Sequence, residues 1–177
     1  MLLGDISNVN NDIDLIYILT SVLTIDMILI LLSRDTKLLG NTMNQWYNKL
    51  SMTAVMLDVL VIMLSYITTR YTFKTFDIPY SPELFIIVLI TIQVTRDALI
   101  YKFIMLPYPN GSNKIVDLYK DYASENNFKA IAVDSATMLT SALLAMYLKN
   151  REFNETTTLL ICVLYTIPYF LYQKVKK

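Results

Sequence analysis

The chain has 177 residues, of which 55% are hydrophobic and only 17% charged. Soluble domains run about 45–50% apolar and roughly 25% charged, so this composition leans toward a lipid solvent. Fifteen Lys and Arg balance fifteen Asp and Glu, histidine is absent and cysteine occurs once, as Cys162. The balance excludes a basic field for nucleic acid. The missing residues exclude histidine acid–base chemistry, thiolate metal cages and internal disulfides. Three glycines leave no phosphate-cradling G-x-G-x-x-G loop.

A hydrocarbon core about 30 Å thick takes roughly 20 apolar residues as a helix. Such segments occur at about 13–33, 50–69, 84–106, 128–148 and 156–173. The opening MLLGDISNVNNDID lacks a basic start and carries Asp12 and Asp14, so the first span reads as an uncleaved anchor. A polar loop over about 34–49 follows, with Trp46 and Tyr47 as interfacial anchors before the second span. Tyr101 and Tyr108 bracket the end of the third span, and Pro107-Tyr108-Pro109-Asn110-Gly111 is a turn. An amphipathic helix at about 113–126 should then lie along the membrane surface. Ile115, Val116, Tyr119, Tyr122 and Ala123 fall on one face, while Lys114, Asp117, Lys120 and Asp121 fall elsewhere. The fourth span carries small residues four apart, Ala132/Ala136 and Thr137/Ser141/Ala145, and reads as the central packing helix.

Charge orients the bundle. The N-terminal side holds Arg70, Lys74, Lys149 and Arg151. The opposite side holds Arg34, Lys37, Lys49, Lys114, Lys120, Lys129, Lys174, Lys176 and Lys177, and the positive-inside rule makes it cytoplasmic. The reading is an all-α, polytopic membrane helix bundle of five spans plus one interfacial helix, forming a single domain over 1–177.

The first four spans each hold an aspartate: Asp26, Asp58, Asp97 and Asp134. All four lie about six to nine residues from the same membrane face, roughly 9–14 Å deep. Gln93 and Tyr101 flank Asp97 one turn away, Ser141 continues the stripe of Asp134, and Arg96 is the one cation at that level. Intramembrane acids each cost at least ~2.5–3.5 kcal/mol and are functional candidates by default. One reading is a structural layer of protonated or Arg-paired aspartates bonding across helices. The other is a proton or cation site in a small channel or transporter. Spans without glycine, and with no room for two repeats, favour the structural reading. A homo-oligomeric pore is left open. An enzyme is not expected, because no histidine can activate Cys162 or a serine. No cofactor or metal is expected either.

Gln93-Val94, Arg96-Asp97, Leu99, Tyr101, Pro109-Asn110-Gly111, Asn113, Asp117, Tyr119-Lys120, Tyr122-Ala123, Glu125, Asp134-Ser135-Ala136 and Ser141 carry a resemblance. From Gln93 to about Ser141 the chain resembles a family of multispanning membrane proteins of large icosahedral nucleocytoplasmic DNA viruses. Where the family carries a histidine this chain has Arg96, which puts pH sensing in doubt. The resemblance implies a non-enzymatic virion component of minor capsid type, in the internal membrane beneath the capsid shell. Its implied partners are the bilayer and other capsid or membrane proteins, with no nucleic acid. The side bearing Trp46, Tyr108, Asn110, Asn113, Asp117, Tyr119, Lys120 and Tyr122 is then the expected contact surface. The tail Lys174, Lys176 and Lys177 would bind a protein or anionic lipid, the latter at ~1 kcal/mol per cation.

Overall fold

A computed structural model describes residues 3–35, 40–126 and 128–172. It is all-helical, with no strand among the described residues. The elements are α1 (Ile13–Asp35), α2 (Gly40–Leu50), α3 (Met52–Thr75), α4 (Pro82–Ile100), α5 (Lys114–Asn126), α6 (Phe128–Lys149) and α7 (Phe153–Leu171). A π-helical turn, Tyr101–Met105, extends α4, and its wider loop closes with Leu106 N–H donating to the Tyr101 carbonyl at 2.9 Å.

α1, α3, α4 and α6 pack side by side in a closed ring, each antiparallel to its neighbours. These four are long and apolar enough to cross a bilayer. The fifth expected crossing, α7, falls short of that standard. Asn154, Glu155 and three threonines occupy its first turns, and Pro168 lies near its end. It still runs parallel to α1 along that helix's length. Phe153 stacks edge-on with Tyr17 at 6.2 Å, Thr166 meets Met27, and Arg34 donates to the Leu171 carbonyl at 2.6 Å. That last bond satisfies an orphan carbonyl at a helix C-terminus, where a cation is also favoured by the dipole.

Packing corrects the expected centre of the bundle. The hub is α1, which touches α3, α6 and α7. On α6 the Thr137/Ser141/Ala145 stripe is buried, whereas Ala132 and Ala136 face outward. One end of the ring is filled by Tyr66, Phe85, Met138 and Met146, all essentially without exposure. Tyr66 also shares a hydrogen bond with Ser141 at 2.8 Å.

Residues 3–12 strap that same end shut. Gly4 N–H donates to the Met146 carbonyl at 2.8 Å, Tyr80 donates to the Gly4 carbonyl at 3.0 Å, and Arg70 donates to the carbonyls of Asn8 and Asn11. Asp14 is fully buried where the strap enters α1. It accepts from Lys149 at 2.9 Å and from Asn11 at 2.9 Å, with Arg70 at 3.9 Å.

The other end is roofed. The stretch read as a polar loop is partly the helix α2, because Thr42, Met43, Trp46, Tyr47 and Leu50 recur at helical spacing on one face. Trp46 and Tyr47 therefore point into the bundle and are buried, not displayed to solvent. A single residue, Ser51, joins α2 to α3 with φ of 50°, a left-handed conformation that folds α2 back across the ring. The helix expected at 113–126 forms as α5, and it packs beside α2 to complete the roof.

Glu125 locks the two roof helices together. Its carboxylate accepts from the backbone N–H groups of Asn41 (3.0 Å) and Thr42 (2.8 Å) and from the Thr42 hydroxyl, capping the α2 N-terminus from another helix. The Thr42 hydroxyl first, then the two amides, hold this carboxyl below its ordinary value. Such a group stabilises fully above its unfolded pKa, and the contribution is lost as pH falls through the folded value. Acidification below pH 4.5 should therefore loosen α2. The Glu125→Ala substitution should do so at neutral pH, at a cost of about 1 kcal/mol. Emission from Trp46, the sole tryptophan, reads both; no change in either case would refute the lock.

Candidate functional site

Beneath the roof lies a cavity of about 120 Å³, and all four intramembrane aspartates line it, one from each ring helix: Asp26, Asp58, Asp97 and Asp134. Trp46 and Tyr47 from α2, with Tyr119 and Tyr122 from α5, supply its aromatic walls. The four aspartates thus meet aromatic residues from two helices outside the ring.

The hydrogen bonds are lopsided. Asp26 accepts from the Tyr47 hydroxyl at 3.3 Å, and Asp58 from the Trp46 indole N–H at 3.1 Å. Asp97 accepts from Gln93 and pairs with Arg96, whose Nη2 lies 2.7 Å away. Arg96 also donates to the Val61 carbonyl and the Ser65 hydroxyl, clamping α4 to α3. Two buried acceptors, Asp26 Oδ2 and Gln93 Oε1, have no partner among the described residues. The two side chains are only 2% and 1% exposed. Unpaired buried acceptors of this kind call for an N–H or O–H donor.

On the roof, burial pushes the phenols of Tyr47, Tyr119 and Tyr122 well above their usual range, reinforced by Asp26, Asp97 and Asp134 respectively. They remain O–H donors at every physiological pH.

Other sequence candidates fall elsewhere. Ser141 stands two turns from Asp134, roughly 10 Å along α6, and bonds Tyr66 in the packed end instead of joining the acids. Tyr101 lines a groove outside the cavity, not the cavity itself. The polar residues expected to contact partners mostly fold their own loop. Asn113 caps α5 through Ile115 N–H at 2.9 Å, Asp117 accepts from Gly111 N–H at 3.1 Å, and Lys120 donates to the Tyr108 carbonyl and to Asn110 Oδ1 at 2.7 and 2.8 Å. Tyr108 and Asn110 themselves stay exposed. Trp46, Tyr119 and Tyr122 face the chamber instead of a partner. Lys174, Lys176 and Lys177 lie outside the described residues.

Sequence reasoning missed the Asp14–Lys149–Arg70 cluster and the donors on α2. The cluster was visible only as an acid before a span and two cations on one side. The α2 donors had a signal, the spacing of Thr42, Trp46 and Tyr47.

Fold and site together define an all-helical bundle with four helices able to cross a membrane and an acidic, aromatic-roofed chamber. No protein-family model, curated protein or solved structure matches the chain, and nothing in those comparisons links it to a virus.

Proposed function

We propose that the chain is an integral membrane protein that binds a cation in the acidic chamber, at the end covered by α2 and α5. One observation carries this reading. Each ring helix contributes a carboxylate to one cavity, yet none of the four bonds directly to a neighbouring ring helix among the described residues. A polar layer built to fasten helices would join them across the ring. These acids instead face space, and their partners come from the roof or from their own helix. Four carboxyls face one guanidinium, already paired with Asp97, so the other three must either hold protons or take a cation from outside.

The test is a titration of the protein in nanodiscs with sodium, potassium and methylammonium, read by Trp46 emission. Binding should perturb the indole, and Asp134→Asn should weaken the affinity about tenfold or more, the equivalent of ~1.4 kcal/mol. Silence with all three cations overturns the reading.

A second reading, the structural virion component that the resemblance implies, is supported by the way the loop before α5 is tied down. Asp117 and Lys120 hold Tyr108–Gly111 as a fixed, exposed shelf at the roofed end. Such a shelf suits a protein that links an internal viral membrane to its shell. Cross-linking from Tyr108 in intact particles tests it, and absence of the protein from particles would reject it.

A further inference from the structure

We infer that the ligand of the acidic chamber is an aliphatic ammonium, with its hydrocarbon tail in the groove between α4 and α6. This rests on the cation-binding reading above and adds the chemistry of the ligand. The groove holds about 600 Å³ and adjoins the chamber, Gln93, Asp97, Tyr119, Tyr122 and Asp134 lining both. Apart from Ser124, its remaining lining is largely apolar, with Val94, Ala98, Phe128, Ala130 and Ile131 among it. Polarity therefore changes from carboxylates in the chamber to hydrocarbon in the groove beside it.

The unpartnered groups fix the head. Asp26 Oδ2 and Gln93 Oε1 are both acceptors, and both belong to chamber-lining residues that are nine-tenths or more buried. An ammonium offers three donors and no acceptor. Trp46 and the roof tyrosines add faces on which a cation is favoured. A bare metal ion fits less well, because among the described residues no three acids gather closely enough to hold one. A phosphate beside the amine would lie against Asp97 and Asp134, so the charge pattern selects an amine without one.

The groove fixes the tail. Ala98 and Ala130 keep its walls thin, and the lining residues Phe128 and Ile131 stand exposed at its outer edge. A lipid-facing flank of this kind admits a chain from the side.

The experiment compares methyl-, butyl- and hexylammonium on the protein in nanodiscs by Trp46 emission, with Ala98→Leu and Ala130→Leu as groove-filling variants. At about 0.8 kcal/mol per buried methylene, butylammonium should bind roughly tenfold or more tighter than methylammonium. At least one variant should erase that gain while leaving methylammonium within about twofold of the parent. A series in which methylammonium binds and chain length adds nothing overturns the tail placement and leaves the cation site standing. A gain that persists in both variants places the tail in the bilayer and overturns it equally. Should no ammonium of any length and no alkali cation bind, the cation-binding reading itself has failed.

Discussion

Replacing Asp134 with leucine is expected to stabilise the bundle by about 1–4 kcal/mol while weakening ammonium binding at least about tenfold. The carboxylate of Asp134 makes no hydrogen bond to a described residue, and its charged neighbours are Asp97 and Arg96. Arg96 is already committed to Asp97, Ser65 and the Val61 carbonyl. A half-buried carboxyl without a hydrogen-bond partner opposes folding, whether it stays charged or takes a proton. Leucine has similar bulk and leaves no polar atom unsatisfied, so the packing around Val133 and Thr137 can close on it. Thermal unfolding in one detergent gives the first quantity and Trp46 titration the second. If the aspartate layer serves only to fasten helices, the same substitution lowers the melting temperature instead. Stability and binding moving in opposite directions is the signature of a group kept for a ligand.

At the opposite end, Asp14→Ala should destabilise the protein by about 3–5 kcal/mol, because it strands a buried cation. Asp14 is fully buried and joins three parts of the chain: the strap through Asn11, α3 through Arg70 and α6 through Lys149. Arg70 is itself only 3% exposed, so its charge cannot turn to water when the carboxylate is removed. Lys149 is partly exposed and can, so Lys149→Ala should cost less than Asp14→Ala. Chemical unfolding of the two single variants and the double variant measures the coupling. Limited proteolysis should find residues 3–12 newly accessible in Asp14→Ala. An unaltered unfolding midpoint would remove the cluster from any role in closing that end.

The pattern of apolar runs made the four long helices legible, since length and hydropathy are local properties. The meeting of the acids was legible too, because depth along a helix follows from counting residues. What escaped is what depends on distant partners. The stretch around Trp46 is rich in asparagine and glutamine and reads as a loop on composition, yet Glu125 caps it as a helix from 83 and 84 residues away in sequence. Trp46 looked like an interfacial anchor because tryptophan is common there; its indole N–H instead answers Asp58. Ser141 followed Asp134 on one stripe, but two turns of helix carried it out of the acidic level and into the grip of Tyr66. The α7 segment, uncharged over its later turns, read as a crossing like the others, while its threonine-rich start sets it apart.

The plug of Tyr66, Phe85, Met138 and Met146, with the strap over it, fills the end of the bundle opposite the roof among the described residues. On the cation-binding reading, a guest stopped at that plug returns to the side it came from, so the bundle acts as a receptor or a store.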